Sequence, residues 1–197
     1  PLFYTPLLYK SLAPSHWLSF RVQPGYDRRN GGFLKSTLTT DYTSYFYSKL
    51  YLDYYTSQGL GTGGELQLHK GVDSRGTLFG YRIREVHSAT ERWALVGDQY
   101  QALPSSFSFQ GRMQVQSDAD FNNHYVRSSV FRVTPELNNS AALVYRLPAA
   151  TARLSYSRLD VADETRTHFI RRHESSPRLD FQTQSFKIGR LPWLNTL

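Results

Sequence analysis

The chain has 197 residues, 23 Lys and Arg against 16 Asp and Glu, a net charge of +7 and no cysteine. The missing cysteines exclude a disulfide framework and any cysteine-held metal within this sequence, and no run approaches the roughly 20 apolar residues of a membrane-crossing helix. Its basic residues are scattered rather than blocked, with Arg28–Arg29 and Arg171–Arg172 in expected loops, which argues against a nucleic-acid partner.

The length fits one ordinary domain or part of a larger one. The sequence starts at Pro1 and shows no charged segment, apolar segment and cleavage site in succession. It is therefore expected to be an interior fragment or a processed chain.

Helical periodicity is scarce. Strand-like runs bounded by turn residues are expected at 16–24, 32–41, 45–56, 62–71, 77–86, 91–100, 106–116, 139–147, 151–160 and 178–188. In the first, Leu18, Phe20 and Val22 alternate with Ser19, Arg21 and Gln23. In the third, Phe46, Leu50, Leu52 and Tyr54 oppose Tyr47, Lys49, Tyr51, Asp53 and Tyr55. In the fifth, Phe79, Tyr81 and Ile83 oppose Gly80, Arg82 and Arg84, and are expected on the apolar face. The sixth, with Trp93, Ala94, Leu95 and Val96 in succession, selects neither face.

The seventh is the clearest. Phe107, Phe109, Gly111, Met113 and Val115 fall on one side, and Ser108, Gln110, Arg112, Gln114 and Gln116 on the other. Its length suits a tilted strand crossing a bilayer, which takes roughly 9–11 residues. In the ninth, Ala152, Leu154 and Tyr156 oppose Arg153, Ser155 and Ser157. Aromatic content of 15% suits strands, and suits the aromatic girdles of membrane barrels.

The links sort by length. Those at 42–44, 73–76, 101–105 and 148–150 are short, whereas those at 117–138 and 161–177 are long. Short turns on one side and longer loops on the other mark outer-membrane barrels. The expected fold is all-β, an antiparallel outer-membrane β-barrel segment of about ten strands from a larger barrel.

Several segments also resemble one family. Pro1–Tyr9 (PLFYTPLLY) is similar to the end of the periplasmic domain of the lipopolysaccharide-assembly outer-membrane protein family (LptD, the organic-solvent-tolerance family). Trp17–Phe33 resembles that family's first hairpin. Glu91–Phe121 resembles its Arg-Trp strand, turn, alternating strand and Ser-Asp-x-x-aromatic loop, here Arg92, Trp93, Ser117, Asp118, Asp120 and Phe121. Pro177–Asp180 resembles the start of a later strand.

The resemblance implies residues 1–12 as the end of a periplasmic jelly roll with its linker, and 13–197 as the N-terminal part of the barrel. It implies residence in the cell outer membrane and insertion of lipopolysaccharide into the outer leaflet. The implied partners are lipopolysaccharide, outer-membrane lipid, a lipoprotein plug (LptE-like) and a periplasmic bridge protein (LptA-like) that meets the jelly roll; no nucleic acid and no cofactor are implied. It also implies a lateral gate near Phe20, Val22 and Pro24, where proline removes a ladder donor; alternatively Pro24–Gly25 only begins a turn.

Arg21, Lys35, Arg82, Arg84, Arg112 and Arg153 are candidates to face the lumen. Arginine forks there suit the phosphates of lipopolysaccharide or a plug; alternatively Asp53, Glu65, Asp98 and Asp180 pair with them. The run Ser117–Asp120 offers too few oxygens for calcium and is expected as a side-chain-capped loop. His168 and His173, with Glu164 and Glu174 nearby, lack zinc spacing. No nucleophile elbow, phosphate loop or HExxH motif is present, so no catalytic residue is expected. A general porin or channel, and a soluble all-β binding module, are the alternative functions.

Overall fold

The computed structural model describes residues 8–10, 18–125 and 136–183. Expectations that fall on 1–7, on 11–17, on 126–135 within the long loop and on 184–197 lie outside these residues. The described chain is all-β, with eleven strands in one antiparallel sheet whose spatial order is the sequence order. The strands are β1 (Leu8–Lys10), β2 (Leu18–Asp27), β3 (Gly31–Thr43), β4 (Phe46–Tyr55), β5 (Gly59–Lys70), β6 (Ser74–Arg84), β7 (Glu91–Leu103), β8 (Phe107–Gln116), β9 (Glu136–Arg146), β10 (Ala150–Ala162) and β11 (Phe169–Thr183). The sheet is an open meander: β1 and β11 are its edges, and it does not close into a barrel. A one-turn helix, α1 (Phe121–Tyr125), follows β8.

The first nine expected strands each coincide with an observed one, and the tenth, expected at 178–188, overlaps β11, which begins earlier at Phe169. Leu8–Lys10 adds one more, pairing with Phe20–Val22 in the same sheet. The register carries one face across the molecule: Phe20, Leu38, Leu50, Gly64, Gly80, Leu95 and Val115 are successive cross-strand neighbours. On this face Leu34, Leu50, Leu52, Leu60, Leu66, Leu78, Met113, Leu143 and Leu154 are all solvent-exposed. Aromatics mark its two ends. Tyr26, Tyr54 and Trp93 lie towards the longer loops; Phe46, Phe107, Tyr145 and Phe181 lie towards the short turns, where Phe107 stacks on Tyr145 with centroids 4.3 Å apart.

The opposite face holds the core. Tyr55, Phe79, Tyr81, Ile83, Ala94, Phe121 and Tyr125 form one buried cluster. The expected placing of Phe79, Tyr81 and Ile83 on the open apolar face is thus inverted. α1 folds back over this end of the inner face, so apolar side chains are needed beneath it and the simple apolar-out pattern fails there. β7 carries apolar residues on both faces for the same reason: Trp93 and Leu95 face out, and Ala94 is buried with the cluster.

At one end the links 44–45, 71–73, 104–106 and 147–149 are short; at the other, 28–30 and 56–58 are just as short, while 85–90, 117–135 and 163–168 are longer. The long loop expected at 161–177 is instead a tight hairpin. Asp163 Oδ1 accepts the amides of Thr167 (3.0 Å) and His168 (3.2 Å) and closes the turn. β10 and β11 then pair through register shifts between Ser155 and Ser157 and between Leu159 and Asp160, which scramble the alternation in FIRRHESSP.

Candidate functional site

The distinctive geometry lies where the longer loops meet the inner face. A glycine pair on β5 makes room for it: Gly61 and Gly63 let Tyr81 lie against that strand, since an added Cβ would collide with the Tyr81 hydroxyl at Gly61 and sit 2.6 Å from the ring at Gly63. The Tyr81 hydroxyl then donates to Asp53 Oδ2 at 2.9 Å, and the Tyr55 hydroxyl to the same oxygen at 3.3 Å. Phe121 and Tyr125, four residues apart on α1, project from one side of the turn onto these rings. Their centroids lie 6.1 Å and 6.4 Å from Tyr81, the second pair stacked.

Arg92, at the start of β7, ties α1 down. Its Nε donates to Asp118 Oδ2 at 2.8 Å, and its Nη1 to Glu85 Oε1 and His124 Nδ1 at 3.0 Å and 2.9 Å. Its Nη2 closes the fork on Asp118, and the guanidinium lies 5.3 Å from the Tyr125 ring centroid. The Tyr125 hydroxyl donates to Glu85. Ser117 joins by exchanging bonds with Trp93: Trp93 N donates to Ser117 Oγ (3.1 Å), and Ser117 N to Trp93 O (2.8 Å). Asp118 Oδ1 also accepts the Asp120 amide at 3.1 Å, and Arg166 pairs with Asp120 at 3.1 Å, linking this knot to the β10–β11 turn. The motif residues Arg92, Trp93, Ser117, Asp118, Asp120 and Phe121 therefore meet in space.

Burial pushes the Asp118 carboxyl up, but the Arg92 fork and the Ser117 hydroxyl outweigh it and hold it below the usual range. Glu85 behaves alike: burial raises it, and donors from Tyr125, Arg92 and Ser88 bring it lower. Burial, with Arg29 and Arg92, lowers His124, which keeps it neutral as an acceptor for Arg92.

The basic candidates divide. Arg21, Lys35, Arg112 and Arg153 sit at inner-face register positions. Arg82 and Arg84 do not: they lie opposite Trp93 and Glu91 on the apolar face, and Arg82 pairs with Glu91 at 2.7 Å. Their expected lumenal placement is a parity error that follows from the inversion of Phe79, Tyr81 and Ile83. Pro24 sits opposite Leu34, while Phe20 and Val22 are paired by β1 as well as by β3.

Glu65, buried, takes Lys49 at 3.3 Å and the Tyr51 hydroxyl at 2.8 Å. His168 lies in the turn and His173 within β11, so the histidine and glutamate cluster does not assemble; among the described residues no group of three metal-ligating side chains forms. Sequence reasoning missed Glu85, Tyr125 and the Asp53–Tyr81 pair; the glycine-rich GLGTGG run at 59–64 was the available signal of a close ring approach. No protein-family model matches the chain, and no curated protein matches it.

Proposed function

We propose that this sheet is part of the wall of a larger outer-membrane β-barrel, its leucine-rich face in the hydrocarbon and its inner face towards a polar lumen. The observation that supports it is the sorting of faces. Buried Asp53, Glu65 and Arg92 share one face, while the exposed leucines occupy the other. A contiguous exposed apolar surface of this extent is unusual on a soluble monomer, and lipid supplies its cover. Strands of 10 to 13 residues in β2–β8 match a tilted crossing.

Within that reading, the resemblance carried by Pro1–Tyr9 and Glu91–Phe121 points to lipopolysaccharide insertion into the outer leaflet. By that resemblance residues 1–12 belong to the jelly-roll end and its linker, with β1 continuing its edge onto β2, the barrel has further strands, and a lateral gate lies near Phe20, Val22 and Pro24. The plug and the bridge protein are then its partners. The full-length protein is expected in the outer-membrane fraction of its native cell. Its depletion is expected to deplete surface lipopolysaccharide before other outer-membrane proteins are lost. Depletion that leaves surface lipopolysaccharide unchanged leaves a general channel as the function.

A further inference from the structure

The ladder between β8 and β9 stops halfway. It runs from Phe107–Tyr145 to Arg112–Ser140, six paired positions, whereas β7–β8 has ten and β9–β10 eleven. Above it, residues 113–116 stay paired with β7 and residues 136–139 with β10. The sheet therefore parts at its longer-loop end into two plates, β1–β8 and β9–β11. Two side-chain amides bridge the parting in place of peptide groups. Gln114 N donates to Asn139 Oδ1 at 2.8 Å, Asn138 N to Gln114 Oε1 at 2.9 Å, and Asn139 Nδ2 to Gln114 O at 3.1 Å.

This bridge is weaker than the ladder it replaces. Asparagine is depleted in strands, and holding Gln114 and Asn139 in fixed rotamers costs entropy that a peptide ladder does not. Gln116, two residues further up β8, is buried, and among the described residues its Nε2 has no hydrogen-bond partner, a cost that water relieves if the strands part. The wall is thin at the base of the parting. One hollow of about 460 Å³ opens beside Arg75 and Arg153 on the inner face, and another of about 410 Å³ beside Leu78, Phe109 and Met113 on the leucine face; Gly111, Arg112, Ser140 and Ala141 line both. A tie in the loops spans the top. Arg166, in the β10–β11 turn, pairs with Asp120 at 3.1 Å, and its carbonyl accepts the Ala119 amide at 3.1 Å. That ion pair is about half exposed and correspondingly weak.

We propose that the β8–β9 junction is a hinge in the wall, with its paired lower half as the pivot and Gln114, Asn139 and Arg166 as the latch. Release of the latch swings the top of β9–β11 away from β8 and opens a slot between the inner face and the leucine face. The hinge lies across the sheet from Phe20 and Val22 on β2, and it rests on the hydrogen bonding of the sheet, not on the transport reading.

Spin-label distances in the full-length protein in detergent test it, with labels at exposed positions. Arg84→Cys with Ile170→Cys spans the upper parting, Arg84→Cys with Tyr26→Cys stays on one plate, and Lys70→Cys with Leu147→Cys crosses the junction at its paired end. The first pair is expected to show a shorter and a longer distance, and the other two a single narrow one. Gln114→Ala with Asn139→Ala removes all three bridging bonds, and is expected to raise the longer-distance share about twofold or more, which a single net hydrogen bond already supplies. If that variant fails to fold, Arg166→Asn is expected to act in the same direction, in a turn where φ is +58° and asparagine is tolerated. Distances across the upper parting that neither variant moves overturn the latch. Lengthening of the Lys70–Leu147 pair alongside the upper pair overturns the hinge, because the strands then part along their whole length.

Discussion

Arg92 holds Asp118 through two nitrogens of its guanidinium, and in doing so fastens the start of β7 to the loop that follows β8. The same guanidinium reaches Glu85, so one side chain joins the β6–β7 link to the loop that leads into α1.

Replacing Arg92 by Gln should loosen α1. Its side chain is 9% exposed, against 12% for Glu85 and 18% for Asp118, so both carboxylates would be left without their cation in a largely enclosed site. A loss of about 3 kcal/mol is expected, the low end for breaking a buried pair. Urea unfolding of the full-length protein in lipid gives the value. Hydrogen exchange should show the change concentrated at 118–125 rather than across the sheet. Arg92→Lys should fall between, since it keeps the charge without the fork.

The knot should also weaken in acid. Asp118 and Glu85 are depressed in the folded state, so their contribution is present above the ordinary carboxylate range and is lost as pH falls through their folded values. His124 is depressed as well, among Arg29, Arg92, Asp118 and Asp120. It should resist protonation, so its contribution declines first, below its ordinary value of about 6.5. Exchange protection of α1 amides should therefore be highest near neutrality and fall in two stages. His124→Gln should remove the upper stage and leave the lower.

The face assignment predicts unequal tolerance to charge. Met113 is exposed beside Gly97 on the leucine face, so Met113→Arg should cost roughly 2–4 kcal/mol at a bilayer midplane and impair assembly. Gln110→Arg, on the inner face, should assemble normally. It is a better control than Gln114, whose Oε1 accepts the Asn138 amide at 2.9 Å. Equal assembly of the Met113 and Gln110 variants, read by heat-modifiable mobility on gels, counts against a lipid-facing leucine face.

Epitope tags test the orientation. A tag at Glu164, in the β10–β11 turn, should be reachable on intact cells. A tag at Ser105, in the short β7–β8 turn where φ is +61°, should be reachable only once the outer membrane is breached. A tag at Asn123 should instead disturb assembly, because it interrupts α1 between Phe121 and Tyr125.

The pairing of β1 with β2 bears on the gate. Leu8 and Val22 are register partners, so Leu8→Cys with Val22→Cys in the full-length protein should cross-link on oxidation. If lipid leaves beside β2, export should stop in the cross-linked protein and resume on reduction. Unchanged export with complete cross-linking removes β1 release from the gating scheme.

Strand positions and the leucine face were legible in the sequence. A pleated strand places alternate residues on opposite sides whatever its neighbours do, so FSFQGRMQVQ and FYSKLYLDYY declared both state and face by themselves. Short turns such as 104–106 were legible too, because Pro and Ser punctuate locally. The tertiary structure alone decided which apolar residues turned inward. Phe79, Tyr81 and Ile83 obey the same alternation as the outer leucines, and only the docking of Phe121 and Tyr125 makes their side the buried one. It also decided the Arg92 knot and the extent of β11. Contacts such as Tyr125 to Glu85 and Arg92 to Asp118 join residues far apart in sequence, and the bulges of β10–β11 hide the period on which local reading depends.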